Sequence, residues 1–318
     1  MTRFRAPRLA VPSLVLMAML WGSTFVVTKG MVGRIGSADL TFVRFGLALL
    51  VLVAVAPRAL RMSRRTLVHG LLLGSVFTVG QLPQTYALEH VDASVAGFYT
   101  GLYMVLTPLL AWLILRRRVS SVVWGAVALA TAGLVLLSVT IDPATGLQLG
   151  TFGWGEFILV LSAVGFAAHI VIAGHLSTPD TAMSLTIVQT AVLVATSLLL
   201  STPDGLQVPA GVSDWSAMLY LAVVCGALSL YLQLWAQSHV EATKASLLMG
   251  TEPVWAATLA VAFGGELVTW QMVAGGLAIS AAIALVIAPP GRRRGGIGLP
   301  VRSALRQPRQ LGDAPARR

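Results

Sequence analysis

A run of this chain is written twice, and that doubling limits its fold more than any other feature. QTYALEHVDASVAGFYTGLY, from Gln84 to Tyr103, aligns with QLWAQSHVEATKASLLMGTE, from Gln233 to Glu252, at an offset of 149. The register pairs Gln84 with Gln233, Ala87 with Ala236, Ala96 with Ala245 and Gly101 with Gly250, and extends to Arg117 with Glu266. Thr41 of LTFVR matches Thr186 of LTIVQ at an offset of 145, which sets Arg44 against Gln189. Whatever one half builds, the other should build again.

The repeated unit is apolar. With 56% hydrophobic and 11% charged side chains over 318 residues, and a mean hydropathy of +0.82, the chain lacks the polar surface of a soluble globule. Ten apolar segments approach the length of about 20 residues that crosses a bilayer as a helix. They run roughly over 11–32, 38–55, 66–82 or a little beyond, 93–115 and 122–139, then 153–176, 181–200, 215–236, 245–263 and 269–288. The expected fold is an all-α polytopic membrane protein, with a repeat over 11–139, a linker at 140–152 outside the cytoplasm and a second repeat over 153–288. Residues 1–10 form a short cytoplasmic lead. The start resembles a signal peptide, but its apolar run continues to Val32 with no small-residue cleavage pattern, so it is read as a retained first helix.

Five crossings per repeat is an odd number, so the second copy must enter the membrane from the opposite side. Such inverted halves are what lets a central site open to either face in turn. The net charge of +10 is no sign of nucleic-acid binding, because the basic residues fall in short clusters between apolar segments. With the N-terminus inside, 19 of the 22 Lys and Arg residues lie on the cytoplasmic side, which predicts that both termini are cytoplasmic. The Arg-, Pro- and Gly-rich stretch 289–318 has little to bury and reads as a disordered basic tail drawn to anionic lipid.

No phosphate-binding loop, HExxH pair, cysteine cluster or nucleophile elbow is present, and no cofactor is expected. The one cysteine, Cys225, reads as a small buried apolar residue. His69, His90, His169, His175 and His239 are scattered rather than gathered at one membrane face, against an intramembrane enzyme. What remains are polar residues at membrane depth, where an unpaired group is costly. Gln81 and Gln84 share a face of the third segment, and the repeat sets Gln233 and Gln237 on the matching face of the eighth. They could bind a polar solute or tie helices together. Tyr99 and Tyr103 share a face of the fourth segment; their repeat mates are Leu248 and Glu252, with Trp255 one turn on. Glu252 lies about eight residues from the cytoplasmic end of its helix, deep enough to lose water, and could hold a substrate ammonium, take up a coupling proton or serve packing alone. Trp21 and Thr24 could form an aromatic wall with a polar notch, and His169 is a further candidate on the sixth segment. Lys29, Arg44 and Glu89, with Asp39 and Asp92, map to the outer half of the first repeat. They suggest an ion-pair network at the outer mouth in which Arg44 bridges to Glu89, with direct anion binding by Arg44 as the alternative.

Several of these stretches together resemble a known family. MLWGSTFVVTK, LTFVRF, ALEHVDAS, TEPVWAATLAVAFGGE and VAGGLAISAAIALV are similar to the EamA domain, which occurs twice in ten-helix members of the drug/metabolite transporter superfamily. The resemblance covers about 10–288. It implies an inner-membrane carrier with cytoplasmic termini, of a kind that often exports amino acids or related small metabolites. It also implies a central cavity lined by helices one, three, four, six, eight and nine, near Trp21, Gln84, Tyr99, Tyr103, Gln233, Glu252 and Trp255. One departure concerns the residues after the fourth segment: the family's Gly-Glu pattern is kept at Gly265 and Glu266 but replaced by Arg116, Arg117 and Arg118 in the first half. The expected partners are a small-molecule substrate and membrane lipids, with the chain a monomer or weak oligomer. Proton coupling, uptake in place of export, and a non-transporting scaffold stay open.

Overall fold

The computed structural model describes residues 8–91, 93–116, 119–138, 140–142, 146–148, 153–201, 205–264 and 268–287. Asp92, Arg117, Arg118, Gly265, Glu266 and the 289–318 tail lie outside the described residues.

Ten helical rods account for nearly all of this. The first repeat contains α1 (Ala10–Val32), α2 (Ser37–Val55) and α3 (Arg64–Ala87), then a fourth rod in two pieces, α4 (Ala93–Gly101) and α5 (Tyr103–Leu115), and α6 (Ser121–Ser138). The second contains α7 (Trp154–Leu176) and α8 (Ala182–Ser201), then an eighth rod of α9 (Val212–Leu219), a π-helical stretch (Tyr220–Leu228) and α10 (Ser229–Gln237). Its ninth rod is again in two pieces, α11 (Ala242–Met249) and α12 (Glu252–Gly264), and α13 (Trp270–Ile287) ends the array. Eight rods are long and apolar enough to cross a membrane; α6 and α13 carry shorter apolar stretches, 121–136 and 273–285. The chain is a polytopic membrane protein of two five-helix repeats. The linker between them holds one antiparallel hairpin, β1 (Thr140–Asp142) with β2 (Gly146–Gln148), in the register Thr140 to Gln148.

Large apolar side chains point outward, among them Trp112, Leu113, Leu199 and Phe263. In water such a surface would be a liability; in lipid it costs nothing. Hydroxyls on the spans bond back to their own helix, as Thr78 does to Gly74 O and Thr190 to Thr186 O, so few enter the membrane unsatisfied. Packing then depends on small residues that let backbones meet. Ser162 Oγ donates to Gly80 O at 2.6 Å, and a Cβ at Gly165 would lie 2.7 Å from Gly80 N, so α3 and α7 touch main chain to main chain.

The loops establish that the repeats are inverted. On one face Ser184 of the second repeat donates to Ala59 O in the 56–63 connection. On the other, the 33–36 connection meets the 205–214 region through Arg34 to Asp214 and Gly36 N to Gln207 Oε1. The α1–α2 turn thus shares a face with the α8–α9 turn, not with its own repeat mate at 177–181. Helix contacts obey the same two-fold rule. The first rod packs on the eighth and ninth as the sixth packs on the third and fourth, while the second pairs with the seventh and the fifth with the tenth.

Candidate functional site

The fourth and ninth rods break at the same place in the repeat. α4 ends at Gly101 and α5 begins at Tyr103; α11 ends at Met249, just before Gly250, and α12 begins at Glu252. Gly101 and Gly250 are repeat mates, as are Tyr103 and Glu252. Pro108 inside α5 and Pro253 in the first turn of α12 each remove a backbone donor near the break.

The two breaks meet. A Cβ at Gly101 would lie 3.0 Å from Pro253 Cγ, and a Cβ at Gly250 would collide with the Met104 side chain. Met104 and Pro253 are themselves repeat mates, so this is an isologous contact, each half touching the other through equivalent residues. On the axis Tyr103 Oη donates to Glu252 Oε2 at 3.2 Å, with both residues about 2% exposed. That bond is the single described partner of the Glu252 carboxyl.

Other expected residues surround this point. Gln81 donates to Gln84 Oε1 and Thr85 Oγ1, and Gln84 donates onward to Thr100 Oγ1 at 3.1 Å, joining α3 to α4 one residue before Gly101 at the break. No bond joins Gln84 to Gln233 among the described residues; the Gln233 amide oxygen is buried without a partner, as is the Trp255 indole N–H. Buried groups of this kind are uncommon, and a guest can bond them, the amide oxygen as acceptor and the indole N–H as donor. Thr24 bonds its own helix at Trp21 O, which favours a helical role over the polar notch expected of it. Tyr99 is half-buried, edge-on to Phe98. Gly22 brings α1 against the ninth rod, where a Cβ would lie 2.8 Å from Glu252 O and from Trp255 Cβ.

Among the described residues the outer ion-pair network does not form as expected. Lys29 Nζ donates to the carbonyls of Leu88 and Val91 at 2.9 and 2.8 Å, capping the end of α3, and Glu89 Oε1 accepts from Ser37 N. Arg44 is 4% exposed and reaches the eighth rod: its Nε donates to Leu221 O at 3.3 Å and its guanidinium lies 4.8 Å over the Phe45 ring. It cannot bridge to Glu89, because burial on α2 aims it into the bundle while Glu89 stays at the exposed connection. The ion pair described at that face is instead Arg34 with Asp214, 2.6 Å apart. A cation at membrane depth costs at least about 2.5 kcal/mol, which a desolvated cation–π contact of about 2 kcal/mol and a single long hydrogen bond of about 1 kcal/mol do little more than offset.

One feature had no sequence signal. Ser23 Oγ lies 2.7 Å from Tyr220 Oη and 3.7 Å from Cys225 Sγ, while Trp21 Nε1 donates to Cys225 O at 3.1 Å. Partners some 200 residues apart, brought together by a π-helical stretch, leave no local spacing to read. His169, a candidate from the sequence, is fully buried with its Nε2 2.9 Å from Gln189 Oε1. Cavities of about 300 and 330 Å³ open on the face where α1 begins and α13 ends, beside His69 and His175 and beside Gln237 and His239; neither is lined by Tyr103 or Glu252.

These observations define a class: a membrane protein of inverted repeats with paired helix breaks meeting at a two-fold axis. The sequence matches the EamA-like transporter family over 8–139 and again over 153–288, so the chain belongs to that family. It is 25% identical over 273 residues to an uncharacterized transporter of Archaeoglobus fulgidus, spanning 86% of this chain and 84% of that one. It is also 25% identical over 270 residues to the uncharacterized transporter YyaM of Bacillus subtilis, spanning 81% and 87%. A solved crystal structure superposes with a TM-score of 0.70 over 88% of this chain and 97% of the other, at 20% identity, a likeness of fold.

Proposed function

We propose that this chain is a secondary exporter of amino acids or related small metabolites, working by alternating access around the Tyr103–Glu252 contact. The observation that carries the reading is that hydrogen bond. It ties together two repeat mates, each the first residue after a matched helix break. Broken helices put unpaired backbone groups and a carboxyl at membrane depth, where a polar solute can exchange water for protein. Glu252 offers the charge for an ammonium group or a coupling proton, and Gln84, Gln233, Trp21, Tyr99 and Trp255 supply the polar and aromatic lining. The chain lies in the inner membrane with both termini cytoplasmic, and functions as a monomer or weak oligomer.

The test is solute flux from proteoliposomes loaded with a broad amino-acid and metabolite panel, comparing the natural chain with Glu252→Gln. The reading predicts efflux of at least one solute by the natural chain and loss of that efflux in the variant. Flux of no solute would sink the transporter reading; equal flux in both would remove Glu252 from the mechanism.

A further inference from the structure

We infer that Arg44 is the receptor for a carboxylate group of the transported solute. Its use in transport rests on the function proposed above; the binding chemistry stands on the geometry alone.

Arg44 has five N–H donors, and among the described residues one of them has an acceptor, Leu221 O. No carboxylate of the described residues lies within ion-pair distance of it. A guanidinium on a membrane-spanning helix, 4% exposed and without a counter-charge, is the setting in which an anionic ligand supplies the missing partner. The residues around it fit that ligand. The Nε bond to Leu221 O and the Phe45 face at 4.8 Å fix the plane of the guanidinium, leaving its terminal nitrogens as a fork. A carboxylate meets such a fork through two parallel bonds. Tyr220 precedes Leu221, and its hydroxyl donates to Ser23 Oγ at 2.7 Å while Ser23 Oγ donates to Leu20 O at 2.6 Å, so neither hydroxyl competes for the guanidinium. Cys225 lies on the same stretch, its Sγ 3.7 Å from Ser23 Oγ and donating to Leu20 O at 3.4 Å. The stretch is π-helical, a form that recurs at functional sites in membrane and soluble helices alike.

Depth and asymmetry give further support. Ser23 is next to Gly22, the residue that packs on Glu252 O, so the arginine cluster and the Tyr103–Glu252 contact flank α1 within one turn. In the second repeat the mate of Arg44 is Gln189, bonded to His169 with no formal positive side chain. The cation is built into one half alone, as a ligand with one anionic group would require.

The test uses the purified full-length chain in detergent and follows thermal unfolding with sodium benzoate, sodium acetate or tetramethylammonium chloride, at an ionic strength held constant with sodium chloride. The carboxylates should raise the midpoint by about 3 °C at saturation and tetramethylammonium should not. Arg44→Lys, which keeps the charge and a donor for Leu221 O but loses the fork, should retain less than half of that rise, and Arg44→Gln none. If Arg44→Gln does not fold, Arg44→Lys decides. Absence of a carboxylate-dependent rise in the natural chain, or an equal rise in either variant, overturns the proposal. A rise that depends on Arg44 in a chain that moves no solute would leave the anion site standing and overturn the transport reading alone.

Discussion

The two repeats agree in backbone and differ in chemistry at the same positions. Both break their fourth helix after a glycine, at Gly101 and Gly250, and both press the break against a residue three places past its mate, Pro253 and Met104. The first residue after the break is Tyr103 in one copy and Glu252 in the other, and on the second helix Arg44 faces Gln189. Symmetry in the main chain provides two equivalent ways for the halves to pack. Asymmetry in the side chains leaves one carboxyl and one guanidinium where two of each would repel across the axis. The difference suggests that access is a property of the repeat and selectivity a property of the departures from it.

The largest expected effect breaks that division at its centre. Glu252→Gln keeps the size and a hydrogen bond to Tyr103 but removes the charge, and should lower transport at least about tenfold, equivalent to about 1.4 kcal/mol in the barrier. The double exchange Tyr103→Glu with Glu252→Tyr restores both groups with their hosts reversed. If the axis is functional as well as structural, proteoliposome flux should recover to well above the Glu252→Gln level. No recovery would show that the surroundings, and not the pair alone, carry the asymmetry.

Next in size is the seam at Gly22. A Cβ there would lie 2.8 Å from Glu252 O, main chain that cannot turn aside, whereas Gly30 on the same helix has nothing within 4 Å. Gly22→Ala should therefore destabilise the protein by about 1–3 kcal/mol, read as thermal unfolding in detergent. Gly30→Ala should be neutral or slightly stabilising. Equal effects would mean that α1 does not depend on close approach to the ninth rod.

The matched glycines test the axis more finely. At Gly101 a new methyl meets Pro253, a ring with little freedom, and Leu134; at Gly250 it meets the Met104 thioether, which can swing away. Gly101→Ala should cost about 1 kcal/mol more than Gly250→Ala. The reverse order would place the rigid side of the contact in the second repeat.

Much of the architecture could be read from the residues because lipid imposes strong rules. Ten apolar runs, an odd number per repeat and a fixed offset between the copies lead to inverted five-helix halves, and the ends of the spans fall within a few residues of those expected. The pairing of Tyr103 with Glu252 was half legible: the repeat marks them as mates, but only three dimensions show that mates on a two-fold axis can touch. The direction of Arg44 was not legible. Charge mapping places it with Glu89 in the outer half of the first repeat, yet helix rotation turns it to Leu221, 177 positions away. The π-helical stretch that presents Leu221 has an ordinary apolar sequence, YLAVVCGAL, with no residue that demands the wider turn.

The smallest effect concerns the contact that looks strongest by distance. Arg34 and Asp214 are 2.6 Å apart and join the repeats, as Tyr103 and Glu252 do, but Arg34 is 59% exposed and Asp214 20%. Water screens the pair, and ordering a long side chain offsets much of the attraction. Arg34→Ala should change thermal stability by no more than about 0.5 kcal/mol, with the difference shrinking as salt is raised. A larger, salt-independent loss would mean that the outer connection between the 33–36 turn and α9 works as a latch, and that inter-repeat coupling is shared between the surface and the axis. If the loss is small, the axis is left as the place where one half senses the other, because its hydrogen bond is buried.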